Sequence, residues 1–210
     1  MKISYPLTSP NPGFPPLIVQ GFGVNPEYYA KFLDANGNPE KGHMGIDFQA
    51  NHGTPVYAVH DGFAFYVGPD DHGGDGVYLR FQDEDDASKY WTCIYWHLCP
   101  KTDLVYAPKV DSVGQTVKKG ALLGYADNTG APFESSGDHL HFGLAPCDNV
   151  GTFLLPGNGY GGCIDPSPYF VIDPLTPADE LTILGNKMMA TNPVQARIVL
   201  AVAAFIRAFS

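Results

Sequence analysis

The stretch GHMGIDFQA, residues 42–50, decides what we predict for this chain. Side chains of a β-strand point alternately to its two faces, and here the two sets differ in chemistry. The apolar set, which suits a core, consists of Met44, Ile46 and Phe48. The opposite set carries the imidazole of His43 and the carboxylate of Asp47, together with Gln49. Gly45 lies between the two ligand-type side chains and leaves space for a metal ion.

The same alternation occurs in DHLHFGLA, residues 138–145. Its apolar face consists of Leu140, Phe142 and Leu144. His139, His141 and Gly143 share the other face, so a second predicted strand also presents two ligand-type side chains beside a glycine. Both strands therefore combine a face made for burial with a face made for chemistry.

A third segment, YWTCIYWHL at residues 90–98, also reads as a strand. Strict alternation places His97 on one face together with Cys93 and Tyr95. The opposite face consists of Thr92, Ile94, Trp96 and Leu98. Each motif taken alone is weak, because a single histidine is more often structural than functional. Three strands with matching patterns make a shared site the better interpretation.

Zinc-dependent hydrolysis needs imidazoles and a carboxylate as ligands, with one coordination position left for water. It also needs a base that accepts a proton and a donor that stabilises the oxyanion. Three side chains would serve as ligands and two would act on water and substrate. The chain supplies this inventory as His43, Asp47, His97, His139 and His141.

The rest of the sequence predicts an all-β domain from Val19 to about Phe170. The 24 glycines and 19 prolines of the 210 residues favour many turns and short strands. Residues 70–76 and 83–88 are rich in turn formers and charge, which predicts solvated loops. Besides the motif strands, we predict strands at Val56–Val59, Phe63–Val67 and Val77–Phe81.

Three regions follow from this pattern: an extended lead-in at 1–18, the β domain at 19–176 and a helical segment at 177–210. Asp179–Ala190 has helical composition, and Asn192-Pro193 predicts the start of a second helix. The apolar run Ile198–Ile206 predicts that this helix packs on the β domain or on a dimer mate. Docking into a larger assembly or onto a membrane surface is the alternative.

Charge and hydropathy exclude several classes of protein. The formal net charge is −10, with 12 Lys and Arg against 22 Asp and Glu, which argues against a nucleic-acid partner. No apolar segment has the length of a membrane span. The N-terminal residues lack the apolar stretch of a secretory signal, so we expect a protein that stays where it is made or leaves by another route.

The four cysteines, Cys93, Cys99, Cys147 and Cys163, show no CxxC spacing, which disfavours a structural zinc cluster. Free thiols are favoured slightly over two disulfides. Outside the motifs, we expect solvated roles for His52 and His60, and a solvated loop for the acidic residues around His72.

Taken together, the motifs resemble those of the M23, or lysostaphin/LytM-type, zinc peptidases. That family's pattern of G-x-H-x-G-x-D, Y-x-H-L and G-x-H-L-H-F is matched by KGHMGIDF (41–48), YWHL (95–98) and SGDHLHF (136–142). Two hairpin patterns of the family match residues 53–68 and 113–130. The resemblance covers about residues 18–145 in the family's order.

The resemblance implies a compact antiparallel β-sheet or sandwich with a groove floored by one Zn²⁺ per chain. His43, Asp47 and His141 would bind the ion. His97 and His139 would act on the water and the tetrahedral intermediate, and which of them is the main base stays open. Tyr95 would contact substrate in the groove. The implied activity is endopeptidase cleavage of cross-links or stem peptides of bacterial peptidoglycan.

Two departures from the family pattern concern the groove. Asp138 replaces the proline that commonly precedes HLHF, and we interpret it as a surface change. The insertions at 25–41 and 131–136 precede the first and last motifs, so we predict that both form groove walls and affect specificity.

Two other functions stay open at this point. The same fold could serve as a non-enzymatic wall-binding or assembly module, including one in a phage particle. A phosphoryl, lipoyl or biotin carrier shares the second hairpin pattern but leaves the histidine motifs unexplained. The lack of a visible signal peptide and the apolar C-terminal helix suit a phage endolysin, a virion-associated protein or a prophage product that acts on the cell wall, and a bacterial protein whose leader has been removed would look the same.

Overall fold

The computed structural model describes most of the chain as two compact units. The described residues are 1–11, 13–70, 72–100, 113–130, 137–173, 177–189 and 191–208. One unit comprises residues 1–7 and 17–171 and holds all the strands. The other comprises residues 8–16 and 172–210 and holds two helices. The predicted domain boundary at 176 and the predicted wall at 131–136 lie outside the described residues.

The β unit contains a seven-stranded antiparallel sheet and a two-stranded one, which confirms the predicted mainly β, antiparallel class. The large sheet has the order β1-β2-β9-β6-β5-β4-β7, and β3 pairs with β8. The strands are β1 (Ile18–Gln20), β2 (Ile46–Gln49), β3 (Pro55–Tyr57), β4 (Gly62–Asp70), β5 (Gly74–Gln82), β6 (Tyr90–Leu98), β7 (Gln115–Val117), β8 (Leu122–Tyr125) and β9 (His139–Cys147). A short helix, α1 (Pro26–Tyr29), lies between β1 and β2.

One face of the large sheet is covered by the main hydrophobic core. The alternate residues of β5, β6 and β9 that enter it are Val77, Leu79, Cys93, Tyr95, Leu140, Phe142 and Leu144. The first residues of the chain join this core, since Ile3 pairs with Phe170 and both Ile3 and Leu7 are buried. Residues 1–7 are therefore part of the β unit rather than a separate lead-in.

The other face of the sheet is only partly covered, and the predicted site residues lie on it. A small cluster of Ile94, Ala145 and Cys163 lies here, with Met44, Tyr78, Trp96 and Phe153 packed against it. All four cysteines of the chain are buried free thiols.

The predicted strand over 42–50 is too long at its N-terminal end. β2 begins only at Ile46, and the backbone before it bends at Gly42, which has φ 152°, and again at Met44 and Gly45. A Cβ at Gly42 would lie 2.4 Å from the carbonyl oxygen of Gly23, so only glycine fits this close approach. Met44 consequently joins Ile94 and Cys163 rather than the core face of Ile46, which corrects its predicted position.

Strict alternation along β6 is also wrong at its end. His97 has φ 59°, and the register with β5 shifts between Asp75 and Val77, which marks a β-bulge. The extra residue turns His97 to the same side as Trp96, and both line one cavity. Leu98 returns to the core with Tyr95. A bulge of this kind re-aims one side chain without disturbing the strand before it.

Tyr95 does not lie in the groove, contrary to the sequence-based expectation. Its side chain is fully buried in the main core, and its hydroxyl accepts a hydrogen bond from the Val59 backbone N–H at 3.1 Å. The position follows from alternation, because Tyr95 shares the core face of β6 with Cys93. Burial also raises the pKa of the Tyr95 phenol well above its usual range.

The predicted solvated loop at 70–76 is shorter than expected, since β4 extends to Asp70 and β5 starts at Gly74. Asp75 is buried within β5, where its carboxylate accepts a hydrogen bond from the Tyr66 hydroxyl. Burial, together with this interaction, raises the pKa of Tyr66. Asp75 is thus a structural residue and not part of a solvated loop. Asp71 lies outside the described residues.

The second unit contains α2 (Pro177–Met188) and α3 (Pro193–Ala208), close to the predicted helices. The Asn192 side chain accepts a hydrogen bond from the Gln195 N–H, which is the expected N-cap of α3. Leu200 of α3 lies over Gly185 of α2, so the two helices pack on each other. Within the described chain, no helix is both long enough and apolar enough to cross a membrane. Where α3 docks stays a prediction.

Replacement of Tyr95 by Phe tests the assignment of this side chain to the core. The variant leaves the Val59 N–H buried without its acceptor, so the free energy of unfolding should fall by about 1–3 kcal/mol. Tyr90→Phe is the matched control on the same strand, since its hydroxyl accepts a hydrogen bond from the Gln82 amide in an exposed contact. Urea denaturation of both variants gives the comparison. Unchanged stability of Tyr95→Phe together with impaired activity would instead place the hydroxyl in the groove.

Candidate metal centre

Three ligand-type side chains converge where β2 and β9 pair. Asp47 and His141 are direct register partners, and His43 reaches them from the segment before β2. His43 Nε2 lies 2.9 Å from His141 Nδ1 and 3.1 Å from Asp47 Oδ1, and His141 Nδ1 lies 3.1 Å from the same oxygen. All three residues are buried. The structure therefore brings together the three predicted ligands around one point.

The hydrogen bond behind His43 fixes which of its nitrogens faces this point. His43 Nδ1 lies 3.0 Å from the carbonyl oxygen of Gly21, which can only accept, so Nδ1 carries the proton in the neutral ring. Nε2 then presents a lone pair toward Asp47 Oδ1, which is also a lone-pair atom. Such an arrangement repels unless a cation or a proton lies between the two atoms. Two imidazole nitrogens and one carboxylate oxygen suit zinc.

Electrostatics within the cluster keep it in the form that binds cations. Burial raises the pKa of Asp47, but its close contacts with the His141 and His43 rings outweigh this effect and hold that pKa well below its usual range. Burial lowers the pKa of His141, and the contact with Asp47 offsets part of this effect. A carboxylate and a neutral imidazole are the protonation states that metal coordination requires.

Gly45 allows the His141 ring to occupy its position. A Cβ on Gly45 would lie 2.8 Å from His141 Nε2 and Cε1, and 2.5 Å from the carbonyl oxygen of Phe142. The glycine of the first motif therefore provides room for the histidine of the last motif rather than for the ion itself.

His97 and His139 lie side by side next to the cluster, with ring centroids 4.6 Å apart. His97 Nδ1 donates to the Thr129 carbonyl at 2.7 Å, and His139 Nδ1 donates to the Gly137 carbonyl at 2.7 Å. In its neutral form, each ring thus keeps a lone pair on Nε2. His139 Nε2 is 3.7 Å from Asp47 Oδ1. Burial, reinforced by the neighbouring histidines, lowers the pKa of His97 to about 3, so this ring is neutral at pH 7.

The five residues open into a cavity of about 390 Å³. The insertion at 25–41 forms one wall through Tyr29, Phe32, Leu33 and Glu40, in agreement with its prediction as a groove wall. Other lining residues are Met44, His72, Tyr78, Ile94, Trp96, Phe153 and Gly161. Alternation along β6 could have identified Trp96, which shares the face of Ile94. Phe153 follows the last motif in a segment without a readable pattern.

The remaining histidines lie in different settings. His72 is exposed but lines the cavity, with its ring 5.6 Å from that of Phe32. His60 stacks on Phe81 with ring centroids 4.2 Å apart, so its role is packing rather than solvation. His52 is largely exposed and lies 2.9 Å from an Asp127 carboxylate oxygen.

Comparison with known proteins now decides the family. The sequence profile of peptidase family M23 matches residues 41–150, which is more than half of the chain. The chain belongs to peptidase family M23. The matched range contains all five residues of the site and both predicted hairpins, which confirms the resemblance inferred from the motifs.

Relatives with known names align with the same M23 domain. The glycyl-glycine endopeptidase ALE-1 of Staphylococcus capitis is 34% identical over 59% of this chain and 28% of its own length. Lysostaphin of Staphylococcus simulans is 35% identical over 59% of this chain and 20% of its own length. The chain therefore aligns with less than a third of either relative. Csd3 of Helicobacter pylori shares the fold with a TM-score of 0.50 and 18% identity, covering 93% of this chain and 41% of its own.

Replacement of Gly45 by Ala tests whether the position of His141 controls metal binding. The added methyl group must displace the imidazole, so we expect zinc affinity to fall by about ten-fold or more. Gly137→Ala is the matched control, because a Cβ there meets nothing within 4 Å and the carbonyl that orients His139 is retained. Competition with a chromophoric chelator measures both affinities. Equal zinc affinity of the two variants would contradict the assigned role of Gly45.

Proposed function

We propose that this M23 domain is a zinc-dependent endopeptidase that hydrolyses cross-links or stem peptides of bacterial peptidoglycan. The observation that carries the proposal is the convergence of three metal-type donor atoms, two further histidines and a cavity on one sheet face. Family membership supports peptidase activity, and relatives named as glycyl-glycine endopeptidase and lysostaphin support a cell-wall peptide as the substrate.

His43 Nε2, Asp47 Oδ1 and His141 Nδ1 are the atoms that would hold the zinc ion. When bound, zinc supplies Lewis acidity, which lowers the pKa of water toward neutrality and polarises a carbonyl. The Gly21 carbonyl keeps His43 in the tautomer that presents Nε2. Such a backbone acceptor behind a ligating histidine fixes the ring and raises its basicity.

His97 and His139 are placed to move protons during hydrolysis. Their Nδ1 protons are committed to the carbonyls of Thr129 and Gly137, so Nε2 is the only ring nitrogen that can accept a proton. A histidine that has accepted this proton becomes a donor to the oxyanion or to the leaving amine. With the rings 4.6 Å apart, one can take the proton while the other faces the oxygen that develops charge.

The walls of the cavity suit a peptide rather than an anionic ligand. Tyr29, Phe32, Trp96 and Phe153 provide aromatic surface, and the lining residues that the structure describes include Glu40 but no Lys or Arg. A carboxylate would meet no Lys or Arg among these described lining residues, whereas an amine could pair with Glu40. The insertion at 25–41 is therefore a determinant of which peptide bond is accepted.

Action on the cell wall follows from the proposed substrate. The endolysin or virion-associated setting was inferred from the sequence alone and stays a prediction, as does the docking of α3 on the β domain, a dimer mate or a larger assembly.

Purified sacculi of several wall chemistries test the activity, the metal requirement and the bond choice together. We expect the chain to release peptides that mass analysis can identify, and a chelator to stop the release until zinc is restored. His141→Ala should abolish release and zinc retention, because it removes one of the three donor atoms. His60→Ala is the control, since that ring packs on Phe81 away from the cavity. Undiminished release by folded His141→Ala would refute the proposal.

Separate variants of His97 and His139 test whether these residues act in proton transfer or in metal binding. His97→Ala and His139→Ala keep all three donor atoms, so we expect each to retain zinc while the rate of peptide release falls by about 10²–10⁴-fold. Zinc content and initial rate are measured on the same preparations. Loss of zinc in either variant would instead identify that residue as a ligand.

A further inference from the structure

A second group of side chains that could bind a metal ion lies apart from the proposed zinc ligands His43, Asp47 and His141. His52 Nδ1, Cys99 Sγ and one carboxylate oxygen of Asp127 all lie within 4.8 Å of one another. The His52 nitrogen is 2.9 Å from Asp127 Oδ1 and 3.7 Å from Cys99 Sγ. Imidazole, thiol and carboxylate thus meet at one point, which is a mixed donor set that zinc accepts.

The main chain, and not the three side chains, brings these donors together. The turn that carries His52 is tied to the end of β8, because the Gly53 N–H donates to the Ala126 carbonyl at 2.8 Å. The Cys99 N–H donates to the Tyr125 carbonyl at 2.8 Å. The Asp138 carboxylate accepts from the His52 backbone N–H at 3.1 Å. The donor atoms are therefore held close whether or not they bind anything.

The two distances from the His52 nitrogen to the other donor atoms are close to those around a small divalent ion, and the third distance is no more than 4.8 Å. A tetrahedral ion with bonds of about 2.0 Å to nitrogen and oxygen and about 2.3 Å to sulfur places its donors roughly 3.3–3.6 Å apart. The observed 2.9 and 3.7 Å differ from these values by only a few tenths of an ångström. Coordination would require side-chain rotations that bring the three donor atoms onto one ion.

Exposure leaves the group accessible to an ion from solvent. The His52 side chain is 60% exposed and that of Asp127 is 19% exposed, whereas Cys99 is fully buried behind them. Three protein donors with one solvent-facing side leave a fourth coordination position for water. The thiol donates weakly to the Ala126 carbonyl at 3.4 Å, and its proton would be released to solvent when the ion binds.

We propose that His52, Cys99 and Asp127 form a second divalent-metal site, selective for ions that accept a thiolate, such as Zn²⁺, Co²⁺ and Cd²⁺. Asp127 links this site to the catalytic face, because its N–H donates to the His97 carbonyl and its carbonyl accepts from the His139 N–H. An ion bound by His52, Cys99 and Asp127 would restrain the backbone of Asp127, which is hydrogen-bonded to the backbones of His97 and His139. Cys99 supplies the one sulfur ligand, which distinguishes this site from the centre of His43, Asp47 and His141.

Cobalt titration of the full chain, reduced with a non-chelating reductant, tests the proposal directly. A thiolate bound to Co²⁺ gives a near-ultraviolet charge-transfer band, which a site of nitrogen and oxygen ligands does not give. We expect two equivalents of Co²⁺ to bind and one of them to produce the band. His141→Ala should lose the other equivalent and keep the band. The test does not depend on peptidase activity, so it stands or fails apart from the proposed function.

Variants of the donors assign the band to this group. Cys99→Ser should remove it, and His52→Ala should weaken the affinity of the band-forming site by about ten-fold or more, because one of three ligands is lost. His52 is exposed, so its replacement leaves the fold intact even where that of the buried cysteine does not. Cys147→Ser is the control, as that buried thiol contacts Thr92 and lies in no group of metal-type side chains that the described residues form.

Two results would overturn the second site. One is a folded chain that binds a single equivalent of Co²⁺ without the charge-transfer band. The other is a band that persists at full strength in both Cys99→Ser and His52→Ala. Either result would leave His52, Cys99 and Asp127 as a hydrogen-bonded cluster without a metal.

Discussion

The structure depends on the confinement of three lone-pair atoms within 3.1 Å of one another. His43 Nε2, Asp47 Oδ1 and His141 Nδ1 would separate in a flexible chain, because water solvates each of them better than its neighbours do. The folded protein keeps them together in a buried position, so this site strongly prefers to bind a cation. The fixed tautomer of His43 and the lowered pKa of Asp47 make a metal ion, rather than a proton, the cation that suits this site.

The sheet holds these three donor atoms close together at little conformational cost. Antiparallel pairing of β2 with β9 sets Asp47 opposite His141, and the core on the far face fixes the register, since a slip of one residue would bury both ligands among apolar side chains. Two local departures complete the site. The turn at Gly42 brings in His43 from outside the strand, and the bulge at His97 turns a fourth imidazole toward the cavity.

Much of this could be predicted from the sequence, because alternation and motif order report directly on which face a side chain takes. The strand β6, the helices α2 and α3 and the convergence of five polar residues all follow from such local patterns. The errors share a physical cause. Alternation holds only while a strand is regular, so the positions of Met44 and Leu98 required knowledge of a turn and a bulge that depend on tertiary contacts. Tyr95 is misplaced for the same reason, since alternation puts it on the face of His97, whereas the bulge turns only His97 to the cavity and leaves Tyr95 in the core.

X-ray absorption at the zinc edge, on the His52→Ala variant loaded with one equivalent of zinc, tests the central claim most directly. The account predicts a first shell of nitrogen and oxygen ligands at about 2.0–2.1 Å, with the scattering signature of two imidazoles and no sulfur at about 2.3 Å. A first shell that contains sulfur, or fewer than two imidazoles, would contradict the assignment of His43, Asp47 and His141 as the metal centre.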